Sequence, residues 1–139
     1  MYGCETWRII KSTLDRLQSF TNRCLRYILR LRWQAMTTNE ELLRRTGQER
    51  VYIYIKWRKW GWLGHTLRKP PACIAHHALR WNPQGTRKRG RPKTTWKRAT
   101  EAEGKTVGYS WGQLETAAQD RDRWRILVGD LCSTRSDKA

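Results

Sequence analysis

Between Glu49 and Glu101 the chain has no carboxylate, yet fourteen lysines and arginines fall in that stretch. Neutralisation by acids within the stretch is therefore excluded, and charge of that density calls for a polyanionic partner. Other absences narrow the field further. No apolar run of ~18 residues is present, so no segment reads as a membrane-spanning helix, and no secretory leader opens the chain. The four cysteines, Cys4, Cys24, Cys73 and Cys132, are too widely spaced to suggest a secreted disulfide framework. A reducing, intracellular setting is the expectation, with the nucleus as the compartment suited to the basic run. A phosphate-cradling GxxxxGK[ST] loop is missing, as is any internal repeat.

Acids are scarce where chemistry would need them. Two-metal catalysis requires clustered carboxylates, and the close pairs are Glu40/Glu41, Glu101/Glu103 and Asp120/Asp122. All lie in predicted helix ends or polar faces, where dipole and i,i+4 pairing with arginine accounts for them. The competing interpretation is a metal-dependent nuclease using Asp120 and Asp122. Cys73, His76 and His77 form half of a zinc pattern, but zinc wants about four ligands and no second pair is near. His65 has no evident acid partner or nucleophile and is assigned a structural role. No cofactor is expected.

What the sequence has in plenty is cation and tryptophan. Its 139 residues carry a formal net charge of +17 and nine tryptophans. Tryptophan interleaved with arginine suits base stacking and cation–π contact, and it equally suits a core. The cations peak in QGTRKRGRPKTTWKR, residues 84–98. Gly85, Gly90 and Pro92 keep the first part of it out of a helix. Within it, Arg89-Gly90-Arg91-Pro92 resembles an AT-hook. Gly90 would let the backbone lie on a groove floor while Arg89 and Arg91 enter an A·T-rich minor groove. A solvated basic loop or a nuclear-import signal is the plainer alternative.

The remainder reads as helical. Tyr2, Thr6, Trp7, Ile9 and Ile10 would suit a strand, and with no partner strand in view that suggests a missing N-terminal portion. Ser12 and Asp15 have capping-box spacing ahead of a stripe at Leu14, Leu17, Phe20 or Thr21, Cys24, Leu25, Ile28 and Leu31. Arg16, Arg23, Arg26 and Arg30 lie mostly off that stripe, as a solvated face or one laid along phosphates. Thr38 and Glu41 repeat the capping-box spacing for a short helix ending at Gly47. Residues 48–67 give a helix with two apolar faces and a kink or small-residue contact near Gly61. The pair Pro70-Pro71 stops it, and 72–81 fits either a short helix or a docked strand. Thr94 or Thr95 starts a helix ending at Gly104, and Ser110 starts a last helical region running to Leu131. The expectation is an all-α unit of about four to six helices: a helical region 1–81, a basic Gly/Pro-containing loop 82–93, helices over 94–132 and a polar tail 133–139.

Six ordered blocks add a resemblance. YGCETW (2–7), RLQSFTNRCLRYILRLRW (16–33), TNEELLRRTGQ (38–48), KWRKWGWLGHTLRKP (56–70), ALRWNPQGTRKRGRPKTTWKR (78–98) and SWGQLETAAQDRDRWRILVGDLCSTRS (110–136) occur in that order. Together they resemble the C-terminal, post-polymerase region of non-LTR (LINE-type) retrotransposon reverse transcriptases. The resemblance implies an endonuclease and an RNA-directed DNA polymerase upstream, with 2–33 similar to the end of the polymerase thumb. The polymerase's paired-aspartate signature is absent here, so no catalytic residue of that family is carried over. Some relatives have a Cys/His knuckle in this region; its spacing is also absent.

These observations lead to one expectation: a non-catalytic module contacting template RNA or target DNA. Arg89 and Arg91 would make groove or phosphate contact, supported by Arg87, Gly90 and Pro92. Lys88, Lys93, Lys97 and Arg98 would contact phosphates. Arg58 and Lys59 would extend the track, with Trp57 or Trp60 stacking on bases where exposed. The alternative is a remnant or docking module of a mobile element, its tryptophans meant for the polymerase portion and with no activity of its own.

Overall fold

Seven α-helices and one 3-10 turn make up the described residues, which in this computed structural model are 1–32, 36–81, 89–90 and 95–133. Helices α1 (Lys11–Ile28), α2 (Asn39–Thr46), α3 (Val51–Leu67) and α4 (Ile74–Arg80) precede the basic stretch; α5 (Trp96–Thr106), α6 (Trp111–Gln119) and α7 (Arg121–Ser133) follow it. The fold is all-α, with one helix more than the upper expectation. The chain divides into two compact units, one of residues 8–56 and one of residues 1–7 with 57–139, and the division falls within α3.

In the 8–56 unit, α1 and α2 pack together. Thr38 caps α2 by accepting the Glu41 amide, and Gly47 closes it at φ +61°. Leu42 is fully buried between them. Gln18 ties the unit with both ends of its amide: its nitrogen donates to Asn22 Oδ1 at 2.8 Å, and its oxygen accepts the Val51 amide at 2.9 Å. Arg26 does not belong to a solvated face. Its guanidinium donates to the Thr37 carbonyl and to Asn39 Oδ1, satisfying the approach to α2. Ser12 is not the cap expected of it. The Ile10 carbonyl already accepts the Thr13 and Leu14 amides, so α1 begins one residue ahead of Ser12. On the expected stripe Leu14, Leu17, Thr21, Cys24 and Leu25 are half-buried, whereas Phe20 and Ile28 are exposed.

The other unit is built on α3, α5, α6 and α7. Trp60, Leu63, Leu114 and Leu131 are completely buried, and Leu67, Ala117, Ala118, Trp124, Leu127 and Val128 surround them. A fully buried leucine contributes about 1.5–3 kcal/mol, so this cluster dominates the unit's stability. Helix α3 runs on through Gly61, whose surroundings are open. The small-residue contact lies one turn later, where the Trp124 indole covers Gly64. Gly104 does not end α5; it sits inside the helix under Leu114 and the Tyr109 carbonyl, and the chain turns at Gly108 with φ +80°. Thr95, rather than Thr94, caps α5. Ser110 and Gln113 form a complete capping box on α6.

Of the two readings open for residues 72–81, the helix forms, as α4. The N-terminal segment is a 3-10 turn over Cys4–Thr6 and not a strand. Cys4 is buried, and the Trp96 indole donates to the Glu5 carbonyl at 3.1 Å, so the turn is held by side-chain packing and that bond without sheet pairing. The last helical region is two helices: Asp120 breaks it and caps α7, accepting the Asp122 and Arg123 amides at 3.0 and 3.2 Å. No described helix is long and apolar enough to cross a membrane.

Candidate nucleic-acid interface

Most of the basic stretch, 82–88 and 91–94, lies outside the described residues, and with it Arg87, Lys88, Arg91, Pro92 and Lys93. Arg89 and Gly90 are described and exposed. Gly90 has φ +132°, which side-chain-bearing residues rarely adopt. Downstream, Arg98 is exposed on the first turn of α5, and the Lys97 ammonium lies 5.0 Å from the centre of the Trp111 ring. That contact orients Lys97 and leaves its charge without a carboxylate in the same contact.

The upstream candidates divide. Arg58 is exposed and stands 3.5 Å from Glu5. Trp57 is 45% exposed. Lys59 and Trp60 are corrections to the expected track. Lys59 is only 8% exposed and its ammonium is 2.5 Å from Glu103 Oε1; the Trp60 indole donates to Glu103 Oε2 at 3.0 Å and the ring is fully buried. One α5 carboxylate thus binds two successive α3 side chains and withdraws both from any ligand. Arg50 and Arg80 are likewise near carboxylates, Glu40 at 3.5 Å and Glu115 at 3.1 Å.

The weak metal candidates do not converge. His77 is exposed, Cys73 is half-buried, and the buried His76 donates through Nδ1 to the Lys69 carbonyl at 2.8 Å. His76 Nε2 has no partner, but among the described residues no three His, Cys, Asp or Glu side chains are grouped to hold a metal ion. Cys4 is kept as a neutral thiol, since burial pushes its pKa up against the lowering influence of Arg58.

A second basic feature was not anticipated. Trp57, Gly61, His65 and Arg68 of α3 and its C-terminal edge, with Arg121, Trp124, Arg125 and Val128 of α7, line an open groove of about 400 Å³. Its lining has three guanidinium groups and no carboxylate. Arg68 is half-buried; burial lowers its pKa, and the neighbouring Arg121 lowers it further. One of its nitrogens donates to the Ala118 carbonyl at 3.0 Å. The residues recur at i, i+4, i+8 and i+11 on α3, and at i, i+3, i+4 and i+7 on α7. Those spacings mark one face of each helix, a signal present in the sequence but obscured by assigning Arg121 and Arg125 to pairing with Asp120 and Asp122.

Comparison with protein-family models, with curated proteins and with solved structures found no match to this chain.

Proposed function

We propose that this chain is a non-catalytic nucleic-acid-binding module, corresponding to the post-polymerase region of a LINE-type reverse transcriptase, which contacts template RNA or target DNA through a basic, Gly/Pro-containing loop at 82–93. The observation that carries this reading is the absence of any acid between Glu49 and Glu101 against fourteen cations. Four of those cations, Arg50, Arg58, Lys59 and Arg80, lie within ion-pair distance of carboxylates supplied from outside the stretch. Seven of the other ten fall in residues 87–98, where Arg89 and Arg98 are exposed. Arg89 and Arg91 serve as groove or phosphate contacts, with Lys88, Lys93, Lys97 and Arg98 on phosphates.

A salt-dependent binding titration with A·T-rich duplex, G·C-rich duplex and structured RNA tests the reading. With about six phosphates neutralised, log affinity falls against log salt with a slope near about −5 on duplex DNA. Arg89→Ala/Arg91→Ala flattens that slope by about 2 and removes any A·T preference. No binding to any of the three at low ionic strength overturns the proposal.

The docking-module reading keeps one observation of its own. Phe20, Tyr27 and Ile28 are all exposed on α1, an apolar surface suited to the polymerase portion of a parent protein. Binding of that polymerase portion to the chain, abolished by Phe20→Glu/Ile28→Glu, is the outcome that would favour it.

A further inference from the structure

We propose that the groove between α3 and α7 is a second binding site, specific for single-stranded nucleic acid, in which Arg68, Arg121 and Arg125 hold phosphates and Trp57 stacks on a base. This rests on the nucleic-acid reading above but uses a different surface and different arginines, sharing with it only the stacking role expected of Trp57. Three arginines converge on an opening of about 400 Å³ without a lining carboxylate, a volume in the range of small-ligand sites. Like charges crowd together at a cost that an incoming anion relieves; the Arg68 pKa is lowered first by burial and then by the neighbouring Arg121. Arg125 stands 3.6 Å from Asp122, with both side chains largely in solvent; such a pair holds weakly and yields to a phosphate.

Stacking selects a nucleic acid over other polyanions. Trp57 is 45% exposed, whereas Trp60 and Trp124 of the same unit are buried, and it borders the groove. Gly61, one turn on, leaves the helix backbone bare, with no atom beyond that backbone within 4 Å of where a Cβ would stand. A planar base can rest there beside the indole. Bases paired within a duplex offer no free face to it, so the site prefers a single strand.

The same opening supplies the test. Gly61→Leu places a side chain in the groove, starting from a Cβ that meets no other element, and replaces a helix-weakening glycine. The experiment uses the full chain in an Arg89→Ala/Arg91→Ala background, with fluorescence anisotropy of a short oligothymidylate, an abasic strand of equal length and a duplex of equal length. Expected is residual binding that favours oligothymidylate over the abasic strand by about tenfold, from the stacking contribution. Gly61→Leu lowers oligothymidylate affinity about tenfold while the unfolding midpoint holds or rises. Trp57→Ala brings the oligothymidylate down to the abasic level. Arg121→Gln/Arg125→Gln makes the single-strand salt slope shallower by about 1.4. Unchanged affinity in a folded Gly61→Leu variant overturns the site, as does equal binding of abasic and thymidine strands, which would mark a site for phosphate alone or for a phosphorylated peptide. Loss of all binding in the Arg89→Ala/Arg91→Ala background overturns the groove and leaves the basic stretch standing. A chain that binds nothing even without those substitutions overturns both.

Discussion

The indole nitrogen of Trp124 donates to the backbone carbonyl of Trp60 at 3.0 Å, and the two rings lie with their centres 5.9 Å apart at 47°. This brings α7 against α3 at Gly64, the place where α3 has no side chain. A Cβ on Gly64 would lie 2.5 and 2.6 Å from carbons of the Trp124 ring, whereas one on Gly61 would meet nothing within 4 Å. Opposite outcomes follow for the same substitution one turn apart. Gly64→Ala should destabilise by about 1–3 kcal/mol through overpacking. Gly61→Ala should stabilise by about 0.5–1 kcal/mol through helix propensity. Urea unfolding followed by tryptophan fluorescence distinguishes them, and equal effects would contradict the packing described.

Glu103 is the second joint between helices in this unit. Glu103→Ala takes the carboxylate from a buried ammonium and the acceptor from a buried indole at once, for a loss of about 2–4 kcal/mol, moderated by the partial exposure of Glu103 itself. Glu103→Gln keeps an acceptor for Trp60 and should lose less. Unfolding midpoints of the two variants, compared with the parent chain, check the order.

Glu41 gives a pH dependence confined to α2. Hydrogen bonds from Arg44 and then Arg45 hold its carboxyl well below the usual carboxylate range, at about 2. Because the folded pKa is depressed, the contribution is fully present above the ordinary glutamate range, near about 4.3, and is lost as pH falls through that range toward about 2. A carboxyl-resolved NMR titration should therefore find Glu41 still ionised at a pH where ordinary glutamates are half-protonated. Arg44→Ala/Arg45→Ala should return its midpoint to their range.

Local chemistry was readable ahead of the fold, and tertiary placement was not. Thr38, Gly47, Thr95 and Ser110 mark helix ends because each satisfies backbone groups within its own few residues. Ser12 misleads because a backbone carbonyl, that of Ile10, starts the helix first. Gly104 has the composition of a stop and the role of a spacer, since Leu114 and Trp60 come to it from elsewhere in the chain. The same limit explains the site residues. Nothing near Lys59 in sequence announces Glu103, forty-four positions away, that neutralises it. Nor does Arg68 announce Arg121. The tryptophan count favoured an exposed stacking surface, whereas Trp60 and Trp124 are core and Trp62 packs edge-on against Trp96.

The segment from Trp81 to Thr95 is fastened at each end. On one side Arg80 is paired with Glu115; on the other Trp96 is bonded to the Glu5 carbonyl and Lys97 rests over Trp111. A chain advances at most ~3.6 Å per residue, so no residue between Trp81 and Thr95 can lie more than about 25 Å from the nearer of those two ends. Covalent length alone thus sets how far Arg87, Arg89 and Arg91 can stand from the ends of α4 and α5, whatever partner they meet.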